Sequence, residues 1–191
     1  MENPLSNQEK DFLLTLARQT IVKAVNQQPL PMWDDADLSE GLSQKGASFV
    51  TLTEDGDLRG CIGSLEAYQS LVEDVRDHAR QAALEDYRFP PVTKAEVPKL
   101  HIEISRLTPS TPLKYQNPCD LPGLLKPDVD GVILKDGFRR ATFLPQVWQQ
   151  LPVPEEFLSH LCVKMGSSAD LWKRKVLEVS IYHVEEFEEK A

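Results

Sequence analysis

The sequence predicts an α+β fold, an antiparallel or mixed sheet with packed helices. Three observations carry that prediction. Two pairs of apolar, β-branched runs are joined through Asp-Gly turns, at Glu54-Asp-Gly-Asp57 and Lys135-Asp-Gly137, which is hairpin chemistry. Ser6-Asn-Gln-Glu9 and Ser70-Leu-Val-Glu73 have the spacing in which a hydroxyl and a carboxylate satisfy the free amides at a helix start. Strands and helices do not alternate regularly, which disfavours a doubly wound sheet.

The elements follow in order. Phe12, Leu13, Leu16, Ala17, Ile21 and Ala24 recur at helical spacing after the first box, and Pro29 and Pro31 end that helix near Gln27. An irregular connector follows, with a helical turn near Ser39, and Trp33 pins it to the body. Phe49 to Thr53 and Leu58 to Leu65 form the first hairpin. Val72, Val75, Ala79, Ala82 and Ala83 give the second helix a small-residue stripe for close packing on a sheet, and it stops before Pro90. Leu100 to Leu107 alternates as a strand. Five prolines between Pro109 and Asp128 make that segment a surface excursion. Val129 to Leu134 and Phe138 to Leu144 form the second hairpin, and Pro145 opens a short helix. Phe157, Leu158, Leu161, Cys162 and Met165 share one face of a helix that Gly166 closes. Trp172 sits in the next connector, Val176 to Val184 is the last strand, and the Glu-rich end reads as solvated tail.

Composition narrows the function classes. The 191 residues fit a single domain spanning 1–191, and 41% hydrophobic residues suffice for a core without disulfide or metal. A net charge of -9 opposes a phosphate backbone as the main partner, so nucleic acid is not expected. No apolar run reaches the roughly 18 residues of a membrane span. The N-terminal residues lack a signal-peptide layout, and Cys61, Cys119 and Cys162 are odd in number and far apart, which fits reduced thiols. The expectation is a cytoplasmic chain with no membrane partner, no cofactor and no metal, because no cysteines or histidines fall at paired ligand spacings.

The strongest candidate for chemistry is Leu58-Arg-Gly-Cys-Ile-Gly63, where Gly60 and Gly63 flank Cys61 on a strand. Glycine weakens strands, so it marks a bulge or a close approach. Period-two geometry puts Arg59 and Cys61 on one face, where a guanidinium would favour the thiolate and make Cys61 the most reactive thiol. The plain alternative is a small buried hydrophobe. Asp86-Tyr-Arg-Phe-Pro-Pro91 is a rigid corner in which Asp86 and Arg88 suit either recognition or a local ion pair. His101, Glu103 and Ser105 share the polar face of a strand, and Glu103 or His101 could handle protons beside Cys61 if the strands are neighbours. Lys135, Arg139 and Arg140 form a small basic cluster that solvation explains. No P-loop, GxGxxG, HExxH or GxSxG motif occurs.

These segments together resemble the AMMECR domain family over essentially the whole chain. The likeness rests on Leu58 to Gly63, Phe49 to Leu52, Ala82-Ala83 with Asp86 to Pro91, Glu103 to Ser105, Asp130 to Leu134, Leu144 to Val147, Leu161 to Lys164, and Trp172. One departure is Lys164-Met-Gly-Ser167, where the family often reads Lys-Ala-Gly-Leu. The resemblance implies an α+β fold with antiparallel sheet and two lobes, and no settled reaction. It also implies association with a Memo-like protein, similar to extradiol dioxygenases, and with a radical SAM protein. Two functions follow as expectations. One is a thiol-dependent enzyme with Cys61 as nucleophile, assisted by Arg59 and Glu103. The other is a non-catalytic partner or substrate-presenting module whose surface comprises Gly60, Gly63, Asp86 and Arg88. A pocket converging on Cys61 would favour the first, and a sulfur buried among aliphatics the second.

Overall fold

Helix α1 (Asn7–Val25) opens where the first capping box stands, with the Ser6 hydroxyl accepting from the Glu9 amide and the Glu9 carboxylate accepting from the Ser6 amide. The computed structural model describes residues 4–190; residues 1–3 and 191 of the expected 1–191 domain lie outside the described residues. In chain order there follow α2 (Glu40–Ser43), β1 (Lys45–Glu54), β2 (Asp57–Gly63), β3 (Gln69–Ser70), α3 (Leu71–Leu84), β4 (Leu100–Leu107), β5 (Thr111–Pro112), α4 (Leu121–Leu124), β6 (Gly131–Asp136), β7 (Arg139–Phe143), α5 (Pro154–Lys164), α6 (Leu171–Arg174), β8 (Glu178–Tyr182) and β9 (Val184–Glu188). The fold is α+β, as the sequence predicts.

The chain divides into two compact units, residues 1–107 with 185–191, and residues 108–184. In the first, the sheet order is β2-β1-β4-β9, with β3 pairing β1 off that path. The β1–β2 turn holds Asp55 at φ 53 and Gly56 at φ 87, the double left-handed conformation that Asp-Gly accepts. Val50, Leu52, Ile102 and Ile104 pack with Leu13, Ala17 and Ile21 of α1 and Val75, Ala79 and Ala82 of α3 in one core. Alternation then turns Thr51, Cys61, His101 and Glu103 to the opposite face. Arg76 of α3 lies 5.0 Å from the Trp33 ring, which fixes the connector as expected.

The second unit has a sheet in the order β5-β8-β6-β7, and every strand pairing resolved within it is antiparallel. Its core surrounds Trp148, stacked on Phe157 at 3.7 Å. Leu121 and Leu125 are buried in that core, so the proline-rich stretch is not merely a surface excursion. The amide of Thr108 donates to the His183 carbonyl and the His183 amide to the Thr108 hydroxyl, both at 2.9 Å, so the unit's two ends are tied together.

The structure corrects the reading of the Glu-rich end. Residues Val184–Glu188 form β9 beside β4, not a solvated tail. Glu185 pairs with Lys10 at 2.8 Å and Arg106 at 3.3 Å, and Glu189 takes the Arg18 guanidinium. Charges that make a segment look solvated are here matched by distant cations, and Phe187 packs on the core.

Candidate functional site

Strand β2 is an edge strand held at three points by three carboxylates. At its start, register slips between Leu52 and Thr53, which pair with Gly60 and Leu58, leaving Arg59 as a bulged residue. The bulge breaks the period-two geometry on which an Arg59–Cys61 face depends. The Arg59 Nε donates instead to Glu96 at 2.8 Å, and Glu96 also accepts from the Thr93 amide and hydroxyl. The Arg59 hydrogen bond, followed by those from Thr93, holds the Glu96 carboxyl down at about 2.

At the strand centre the backbone of Cys61 points away from β1 and is satisfied by the corner. Its amide donates to Asp86 Oδ2 at 2.9 Å, and its carbonyl accepts from Arg88 Nη2 at 3.1 Å. Arg88 also grips Asp86 through Nε at 2.9 Å and Nη2 at 2.7 Å. Asp86 is buried, and the Arg88 hydrogen bond is the first cause that holds its carboxyl well below the usual range. The pair therefore covers a sheet edge that would otherwise offer unpaired groups. Gly60 has a different task. A Cβ there would run into the Ala82 carbonyl, so glycine lets the end of α3 touch the strand. A Cβ at Gly63 would meet the Phe49 ring.

Beyond the strand's end, Asp74 is fully buried. Its Oδ2 accepts from the Ser48 amide at 2.8 Å and hydroxyl at 2.7 Å, and its Oδ1 from the Ser64 hydroxyl at 3.3 Å. His78 Nδ1 stands 3.1 Å from Oδ2 but out of line for a hydrogen bond. A signal for this cluster exists in the sequence: Leu71, Asp74, Val75, His78, Ala79 and Ala82 share one helix face, so two polar residues sit inside an apolar stripe. Thr51 and Glu96 had no such signal, because their partners come from other segments.

The Cys61 sulfur is half-buried and accepts from the Thr51 hydroxyl at 3.3 Å. Thr51 faces Cys61 on one side and Glu103 on the other, so the three form a row across β2, β1 and β4. Glu103 is two strand spacings from the thiol, about 10 Å, and does not reach it directly. Burial and the nearby Glu186 and Glu188 push its carboxyl up. His101 pairs with Glu188 at 3.0 Å rather than with the thiol. Among the described residues, a cavity of 780 Å³ beside α1 and another of 560 Å³ beside α2 are lined by none of residues 58–63 or 86–91. Among the described residues no group of three or more His, Cys, Asp or Glu could hold a metal ion, and no helix is long and apolar enough to cross a membrane.

Comparison with known proteins places the chain in a family. The AMMECR1 family model matches residues 14–187. The chain belongs to the AMMECR1 family. Among AMMECR1 relatives, a protein of Methanothermobacter thermautotrophicus is 38% identical over 173 residues, covering 87% of each chain. A protein of Methanosarcina barkeri is 37% identical over 190 residues, 97% of this chain and 93% of its own. The crystal structure of the uncharacterised protein PH0010 from Pyrococcus horikoshii superposes with a TM-score of 0.81 at 32% identity, covering 97% of this chain and 94% of that one.

Proposed function

We propose that this AMMECR1 protein is a recognition module, a partner or substrate-presenting subunit for Memo-like and radical SAM proteins, which binds through the β2 edge and the 86–91 corner. One observation carries the reading. Arg59, Asp86 and Arg88 are all committed to holding the strand, while Tyr87 stands 94% exposed and Leu58 44% exposed beside them. Pro90 and Pro91 restrict the backbone from Phe89 onward, so the corner that follows the exposed Tyr87 loses less entropy on binding. Exposed aromatic anchors on rigid backbone are what binding hot spots use.

A thiol-dependent reaction is the second reading, favoured by the Thr51 hydroxyl aimed at the Cys61 sulfur and by the Arg88 guanidinium held at the Cys61 carbonyl. In this reading Arg88 takes the place of Arg59, Cys61 is the nucleophile, and Glu103 exchanges protons through an intervening group.

Binding of purified Memo-like and radical SAM proteins to variants of the full chain separates the two. Tyr87→Ala should weaken binding by about tenfold, the loss of one hot-spot side chain, and Cys61→Ser should leave it unchanged. Absence of binding by the unsubstituted chain, or binding that survives Tyr87→Ala with Leu58→Ser, overturns the module. Alkylation of Cys61 that slows in Arg88→Gln but not in Arg59→Leu supports the thiol reading.

A further inference from the structure

The second unit carries a cluster of polar side chains that the recognition surface does not use. At the end of α5, Gly166 takes φ 77, and the amides of Ser167 and Gly166 donate back to the Cys162 carbonyl at 3.0 Å and the Val163 carbonyl at 2.9 Å. This closure anchors the turn that carries the consecutive residues Ser167 and Ser168 to the helix. Two arginines from different elements reach them. Arg139 Nη1, at the start of β7, donates to Ser167 Oγ at 3.2 Å, and Arg174 Nη2, at the end of α6, donates to Ser168 Oγ.

The donor count is out of balance. A guanidinium offers five N–H donors, and Arg139 gives one of them to a hydroxyl, with no carboxylate partner among the described residues. Each hydroxyl accepts from its arginine and so keeps its own proton to donate. The acceptor present is Asp170, 3.0 Å from Arg174. Asp136, opposite Arg139 across the hairpin, is paired with Lys175 at 2.6 Å, and residues 108–184 as a whole hold 9 basic against 8 acidic side chains, whereas the rest of the chain holds 12 against 22.

We propose that Arg139, Ser167, Ser168 and Arg174 form a binding site for a phosphate group. Two guanidinium forks approaching adjacent hydroxyls from separate elements suit a tetrahedral anion with several oxygens, where a planar carboxylate would be held by one fork. Asp170 sets the charge requirement, because a ligand must draw Arg174 away from it, which favours a dianion over chloride.

The test is titration of the full chain with inorganic phosphate at fixed ionic strength, balanced with chloride, following the amide resonances of 166–170 and the Nε–H of Arg139 and Arg174. Saturable shifts confined to these groups are expected. Arg139→Gln, Arg174→Gln and Ser167→Leu should each weaken binding by roughly tenfold, the loss of one charge-assisted contact, with unchanged melting temperature. Arg140→Gln, one residue along the strand and on its other face, should bind as the unsubstituted chain does. Glycerol phosphate run alongside distinguishes the source, since tighter binding than inorganic phosphate marks a monoester and weaker binding marks free phosphate. Shifts that never saturate, that chloride reproduces, or that persist in Arg139→Gln and Arg174→Gln overturn the site.

Discussion

Single residues in the Leu58 to Gly63 segment have separable tasks. Cys61 is held by its backbone rather than its sulfur, so Cys61→Ser removes the thiol while leaving the edge contacts to Asp86 and Arg88 intact. Cys162 is wholly buried and burial pushes its thiol up, so it is the least available of the three cysteines, and Cys119 is exposed. Glu96 supplies a pH-dependent clamp. Its folded value of about 2 lies below the 4.5 of an unperturbed glutamate, so the stabilisation is complete above about pH 4.5 and is lost as pH falls toward 2. Urea unfolding of Glu96→Gln should therefore differ from the unsubstituted chain near neutrality and converge with it below pH 2. A difference that persists undiminished at low pH would show that Glu96 acts by packing alone.

Elements were legible where their cause is local. Both Ser-x-x-Glu boxes form, the Asp-Gly turn has the expected hairpin conformation, and Gly166 ends α5 as read. What escaped the sequence is non-local. The bulge at Arg59 depends on how β1 registers against β2, the Glu96 contact joins residues 37 apart, and Lys10, Arg106 and Arg18 neutralise Glu185 of β9 and Glu189 just beyond it. Gly60 and Cys61 stood out in the sequence, but the reason for the glycine, the Ala82 carbonyl, lies on α3. Gly60→Ala should then destabilise the chain by about 1–3 kcal/mol, since the obstacle is backbone and cannot rotate aside. The denaturation midpoint measures this. Gly56→Ala makes a useful contrast, because nothing lies near its Cβ and any loss there comes from its positive φ alone.

Across the whole molecule, charge and connectivity are unevenly shared. The first unit carries most of the negative charge, and the second is nearly balanced. Because Thr108 and His183 are hydrogen-bonded to each other, residues 108–184 begin and end at one place, the geometry of a tolerated domain insertion. Expressed alone, that segment should show cooperative thermal unfolding and blue-shifted emission from its two buried tryptophans, Trp148 and Trp172. A red-shifted emission with no transition would show that it depends on the remainder of the chain.

The position of β9 also sets an order of assembly during synthesis. The ribosome makes α1, β1 and β4 first, then every residue of the second unit, and only afterwards the strand that pairs with β4. At roughly 5–20 residues per second, β4 waits several seconds with an open edge while Arg18 and Arg106 lack their glutamates. During that interval the nascent chain exposes a pairing surface to its neighbours on the same messenger, and crowded polysomes are where this protein should be most prone to self-association.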